Sequence, residues 1–441
     1  MALDKQVPRQ KEATVMDIIP EHPFVQQPLP SQLCNLDRLI YAMETRGLDG
    51  IVACTPWNMF YLTGFNGIAH KSDEPRPFAV LFARQKPDHP IVVIADYYLA
   101  TFLANPCWIR DIRPFRAVMM PLDLPPKQED IERFIPEAHS NVDWLVNSRD
   151  HYSFDMTNCL KTALKDLGLN QGKVGFDDIG LGLRLQLDNV TITDAYDPLM
   201  FARSVKTEQE ITLLERATRL NETAITKTIA SWDKSSTWRD LDNAYCHAVT
   251  ELGGFVRDPG GMVWGHPRGT DPAIILNTGV NDSEVGEGTH VMFDCHGTLN
   301  LYCWDGGKTW VVGDEPSGAA KPIASATQVV AETLLEAMRP GAKISELQAL
   351  SRAAYRKAGV SNADTAVIFF HGLGLSHMEL ELTHSDGRAN SDWQLEEGMV
   401  VPMHLLYPGG ATERYWLEEV VHVTKDGGRP LFSWGFGPLT E

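Results

Sequence analysis

The chain has 441 residues, room for roughly two to four domains of ordinary size, and its 43% apolar and 22% charged residues exclude disordered, collagen-like and coiled-coil classes. Its 39 Lys and Arg against 58 Asp and Glu leave a net charge of −19, which repels phosphate backbones and argues against a nucleic-acid partner. No apolar run of about 18 residues could span a bilayer, and the opening MALDKQVPRQKEATVMD is polar where a signal peptide is apolar. Seven cysteines, at 34, 54, 107, 159, 246, 295 and 303, include no CxxC pair and suit reduced thiols. The expectation is a cytoplasmic chain with no membrane partner.

Residues 1–35, rich in Pro, Gln and charge, read as an extended arm. From Leu36 the spacing Leu36, Leu39, Ile40, Met43 predicts a helix that stops at Gly47. Short apolar runs at 50–54, 79–83, 91–96 and 173–178 predict strands, with helical stretches between them, so 36–203 is an expected α/β domain. Thr207-Glu-Gln-Glu210 is a capping box, whose hydroxyl and carboxylate satisfy orphan amides at a helix start, and it opens the second domain, 204–441. A helix follows over 237–252, strands near 273–276 and 290–294, helices over 323–338 and 344–358 separated by Pro340-Gly341, and strands over 399–407 and 416–424. The fold class is α+β, with helices bracketing a curved antiparallel sheet in the second half.

The chain has no GxSxG elbow, Walker loop or HExxH pair, and Gly180-Leu-Gly182 and Gly372-Leu-Gly374 lack the third glycine of a dinucleotide loop. What remains is a set of acids and histidines at the ends of apolar runs, where an unpaired charge costs several kcal/mol to bury. Asp294 closes His290-Val-Met-Phe293, and His296, two residues on, shares its face in a strand. Asp305 comes eleven residues after Asp294, the spacing of two carboxylates facing each other across strands joined by Gly297–Asn300. His371 ends Val367-Ile-Phe-Phe370, His404 sits inside 400–406, and Glu418 inside 416–421. Each alone has a structural reading. Together they form an oxygen and nitrogen donor set without thiolate, explained by one or two divalent ions such as Mn, Fe, Co or Zn. Trp57, Tyr61, Tyr302 and Trp304 lie near these segments as candidate substrate-binding rings.

The order Asp294, Asp305, His371, a ligand position in a strand, then Glu418, behind an α/β domain, resembles the pita-bread metallopeptidase family of methionine aminopeptidase, prolidase and the metal-free creatinase. Pro56-Trp-Asn58, Tyr61-Leu-Thr-Gly-Phe65, His371-Gly-Leu-Gly374 and Glu397-Gly-Met399 extend the likeness over nearly the whole chain. The resemblance implies a creatinase-like N-terminal domain, a pita-bread C-terminal domain, a homodimer, and hydrolysis of a small amide or dipeptide-like substrate. His404 stands where the family has a ligand Glu. His377 comes six residues after His371 where the family's second His comes after seven, and His266 stands for the His usually found before the first Asp. His377 and His266 are therefore the catalytic candidates. Tyr302-Cys-Trp-Asp305, Lys308-Thr-Trp310 and the six-residue offset also resemble the dimethylsulfoniopropionate lyase branch, which has Asp at the positions of His296 and His377. A metallohydrolase, a β-eliminating lyase with His377 as base, and a metal-free creatinase-like enzyme all stand as readings.

Overall fold

The computed structural model describes residues 31–67, 77–117, 128–135, 137–257, 261, 263–266, 276–277, 283–314, 316, 318–379, 392–408 and 414–439. Most of the expected arm, residues 1–30, and positions 273–275 of an expected strand lie outside the described residues. The described residues divide into two compact units, 31–33 with 47–195 and 34–46 with 196–439. The helix Leu36–Thr45 thus groups with the second unit, although the sequence placed it in the first domain. The cause is local: Arg38 Nε donates to the Phe201 carbonyl at 2.7 Å, its guanidinium lies 3.9 Å above the Phe201 ring, and Arg46 pairs with Asp197.

In the first unit, six strands form one sheet: β1 (Gly50–Ala53), β2 (Phe78–Ala83), β3 (Lys86–Ala95), β4 (Asp111–Phe115), β5 (Gly172–Phe176) and β6 (Val190–Asp194). The spatial order is β4-β3-β2-β1-β5-β6, with β2 antiparallel to both neighbours and the other pairs parallel. The continuous apolar runs read from the sequence follow from burial on both faces. Asp177 accepts from the Cys54 and Thr55 amides and the Asn58 side chain, fixing the start of the helix Pro56–Thr63. On that helix Trp57 is exposed, whereas Tyr61 is wholly buried. Tyr61 is therefore a core residue and not the substrate-facing ring expected, because its face of the short helix packs inward.

The second unit holds β7 (Phe255–Val256), β8 (Val263–His266), β9 (Leu276–Asn277), β10 (His290–Phe293), β11 (Gly297–Leu299), β12 (Tyr302–Trp304), β13 (Gly307–Val311), β14 (Val367–Phe370), β15 (Val400–Tyr407), β16 (Tyr415–Thr424) and β17 (Gly427–Pro430). Eight of these make an antiparallel sheet, β14-β15-β16-β13-β10-β8-β9 with β17 on β16, and β12-β11-β7 make a small second sheet. Helices Ala320–Ala337 and Ile344–Lys357 share an apolar core with β14 to β16, while Glu208–Ala230 and Trp238–Glu251 share another with β8, β10 and β13. Both capping boxes, at Thr207 and Thr237, are formed.

One expectation is refined. The segment between Asp294 and Asp305 is not a simple loop but the β11–β12 hairpin, turned at Asn300 and Leu301 with φ of 48° and 70°. Tyr302 and Trp304, expected to face substrate, lie on this hairpin and are wholly buried: Tyr302 donates to Glu210 at 3.0 Å, and Trp304 Nε1 donates to the Tyr245 hydroxyl at 3.0 Å. Packing under the Glu208–Ala230 helix consumes both rings.

A candidate metal centre

Four neighbouring strands aim donors at one place. Asp305 stands just before β13 and His371 just after β14, while His404 in β15 is directly opposite Glu418 in β16. Gly307 opposes Glu418 on the other side, and a Cβ there would come within 2.5 Å of the Phe293 carbonyl. A Cβ at Gly306, at φ 85°, would come within 2.9 Å of Glu418. The two glycines let β13 begin hard against its neighbours and so bring Asp305 to Glu418.

Asp305, His371, His404 and Glu418 are all buried, and one ligand atom from each lies within 4.8 Å of all the others. His404 Nε2 is 2.7 Å from Glu418 Oε1, and His371 Nε2 is 3.4 Å from Asp305 Oδ2. The His404–Glu418 approach is not a hydrogen bond, both Glu418 oxygens having no hydrogen-bond partner among the described residues, while Asp305 Oδ2 is also met by His377 Nε2 at 2.8 Å. Buried oxygen lone pairs left unsatisfied cost roughly 1–3 kcal/mol each or more, so atoms pointing at a common centre mark a place for a cation. His371 Nδ1 donates to the Gly372 carbonyl at 3.0 Å, which fixes the tautomer and leaves Nε2 with its lone pair toward Asp305. His404 stacks on Phe369, ring centroids 3.8 Å apart.

The electrostatics tell the same story. Burial pushes the Asp305 carboxyl up, but His377, His371 and His404 around it prevail and hold it at about 2. Glu418 is driven well above the carboxylate range by burial and by the nearby charges of Asp305 and Asp294. His404 is pulled well below the usual imidazole value by burial and by His371, so it is neutral and ready to ligate. A divalent ion would reverse the penalty on Glu418 and match a set of two imidazoles and two carboxylates.

The other expected site residues fall around this group. Asp294 is outside the four that converge, but its charge bears on Glu418 and His377. His377 Nε2 is 2.8 Å from Asp305 Oδ2 and its ring stacks on His296 at 5.0 Å. Contact with Asp305 raises the affinity of His377 for its proton against the opposing effect of burial, while burial and His377 lower that of His296. The backbone of His266, in β8, pairs with that of His290 in β10; its side chain lies outside what the structure describes. Trp57 belongs to the first unit.

Sequence reasoning missed a buried ionic cluster behind the His371 loop. Glu379 takes Arg203 Nε at 3.0 Å, Lys206 Nζ at 2.8 Å and the Ser376 amide at 3.1 Å, filling the space that Gly374 leaves empty. All three charged side chains are at most 1% exposed. Burial disfavours the Glu379 carboxylate, yet Arg203 and Lys206 hold it at about 2. The available signal was the charged pair Arg203 and Lys206, three residues apart just before the capping box.

The model of metallopeptidase family M24 matches residues 212–425, and that of the creatinase/prolidase N-terminal domain matches 35–205. A Mycobacterium tuberculosis protein named "Probable dipeptidase PepE" is 28% identical over 246 residues, 53% of this chain and 60% of that protein. The chain therefore spans about 60% of the length of such curated relatives. Over the whole fold, the structure of a Pyrococcus horikoshii OT3 dipeptidase superposes with a TM-score of 0.66 at 16% identity, covering 92% of this chain and 99% of that one. Dipeptidase PepE from Mycobacterium ulcerans gives 0.62 at 19%, covering 92% and 96%. At these identities the likeness shows a shared fold.

Proposed function

This chain belongs to metallopeptidase family M24, with a creatinase/prolidase N-terminal domain ahead of it, and on that premise we propose that it is a metal-dependent hydrolase of a small amide or dipeptide-like substrate. The observation that carries the reading is the convergence of Asp305, His371, His404 and Glu418 with unsatisfied oxygen lone pairs at the centre. These residues would hold the ion, whose chemistry when bound is Lewis acidity toward a scissile carbonyl and toward water.

The chain's own residues do the rest. Burial around the donors excludes bulk water and strengthens every charge interaction there. His377 is held through Nε2 by Asp305 and, protonated, presents its Nδ1–H to the leaving amine, which takes that proton. His296, stacked behind it, keeps the His377 ring in place. The names carried by the matched relatives, dipeptidases and prolidases, support a peptide substrate over the β-eliminating alternative.

The test is hydrolysis of a panel of dipeptides, including Xaa-Pro, in water enriched in ¹⁸O, before and after chelation and after return of Mn, Fe, Co or Zn. The expected result is metal-dependent cleavage with one labelled oxygen in the new carboxylate. Metal-independent turnover, or an alkene product from a β-substituted acid, overturns the reading.

A further inference from the structure

Resting on the reading of His377 as the proton donor and deepening it, we propose that the buried cluster of Arg203, Lys206 and Glu379 is a positioning device that acts through Ser376 to fix the imidazole of His377 against Asp305. The first reason is where the cluster spends its hydrogen bonds. Arg203 Nη2 donates to the Ser376 hydroxyl at 2.8 Å, the Ser376 amide donates to Glu379 Oε1 at 3.1 Å, and the Glu379 amide donates to the Gly372 carbonyl at 2.9 Å. That same carbonyl accepts from His371 Nδ1. The Ser376 carbonyl accepts the Gly374 amide at 3.2 Å, so the amide, hydroxyl and carbonyl of the residue just before His377 are all held. The loop is pinned from outside as well: the Cys303 amide in β12 donates to the Gly374 carbonyl at 2.7 Å, and the Leu373 amide donates to the Val400 carbonyl at 3.0 Å.

Exposure is the second reason. The side chain of His377 is 39% exposed, and Met378 beside it is 37% exposed. Segments with little buried apolar surface open readily, and a reacting group misplaced by about 1 Å loses about 10²-fold in rate. The ring meets polar neighbours, Asp305 at 2.8 Å, His296 at 5.0 Å and His371 at 5.2 Å. Rigidity has to come from the backbone that carries it.

The third reason is the choice of charge. A buried ion cluster is no more stable than apolar side chains filling the same volume, although removing one partner is costly. What charge-assisted hydrogen bonds add is a single permitted geometry. Gly374 gives up a side chain to admit the cluster, since a Cβ there would collide with the Glu379 carboxylate.

S376A removes the hydroxyl and leaves the three charged groups paired; S376T keeps a hydroxyl in place. Each is made in the full-length protein, alone and with H377A. Each is measured for dipeptide hydrolysis, for bound metal, and for the ¹³Cε1 resonance of His377 in histidine-labelled protein, assigned by its loss in H377A. The proposal expects S376A to lower kcat about tenfold, within what misplacement costs, with KM and bound metal unchanged. S376T recovers most of that loss, and S376A costs nothing further once H377A is present. The His377 resonance shifts or broadens in S376A and again in E379Q. A cluster that serves stability alone lowers the melting temperature and leaves kcat and the resonance in place; that result, or equal losses from S376A with and without His377, overturns the proposal. A wild type without hydrolysis overturns the reading of His377 as proton donor, and the resonance then decides by itself whether the cluster positions the ring.

Discussion

At the scale of single residues, the proposed site separates groups that would hold an ion from the group that would handle protons. His377 meets Asp305 through Nε2 at 2.8 Å and packs edge-on against His371 without belonging to the four converging donors, so H377A should lower kcat by about 10²–10³-fold, the usual worth of a positioned acid or base, and leave metal content unchanged; steady-state kinetics with elemental analysis checks both. Glu379 is a stability residue. Replacing it with Ala strands Arg203 and Lys206 as buried cations and should cost roughly 3–5 kcal/mol in urea unfolding at pH 7. Its carboxyl has an ordinary value of 4.5 and is held at about 2 in the fold. Its contribution is therefore complete above about pH 4.5 and disappears as pH falls toward 2, and E379Q should flatten that acid limb in thermal melts. The convergence of Asp305, His371, His404 and Glu418 was foreshadowed in the sequence because a polar side chain in or beside an apolar strand is conspicuous. Tyr61, Tyr302 and Trp304 misled because an aromatic near a motif looks the same whether it faces core or cavity, and only the Glu210 and Tyr245 partners decide it.

At the scale of elements, the centre depends on how closely β13 enters between its neighbours. A methyl at Gly307 would strike the Phe293 carbonyl at 2.5 Å, and the residue's φ of 148° disfavours any side chain. G307A should destabilise the fold by about 2–4 kcal/mol and weaken metal binding with it, since Asp305 and the β13–β16 pairing shift together; calorimetric unfolding with and without metal reads both. T207A removes the hydroxyl of a formed capping box and should cost about 1 kcal/mol with no effect on metal content. The long elements were readable from periodicity: the strands over 400–407 and 415–424 and the helix over 344–357 fall within two residues of expectation. The β11–β12 hairpin was not, because its strands are three residues each and its Asn-Leu turn at positive φ has no glycine to announce it.

At the scale of the whole molecule, ordering along the chain foretold the two-part architecture, and the family models match the same division near residue 205. The helix Leu36–Thr45, inside the N-terminal family match over 35–205, packs on Phe201 and Asp197, some 150 residues away in sequence. Among the described residues no helix is long and apolar enough to cross a membrane. Since a bound ion stabilises only the folded chain, saturating metal at about 100 times its Kd should add about 2.7 kcal/mol, seen as a Tm that falls on chelation and returns on reloading. The most direct measurement is a crystal structure of the metal-loaded protein with anomalous scattering recorded at the metal edge. The account predicts an anomalous peak within about 2.0–2.3 Å of Asp305 Oδ2, His371 Nε2, His404 Nε2 and a Glu418 oxygen; no peak among those four, or a peak elsewhere in the chain, would contradict it.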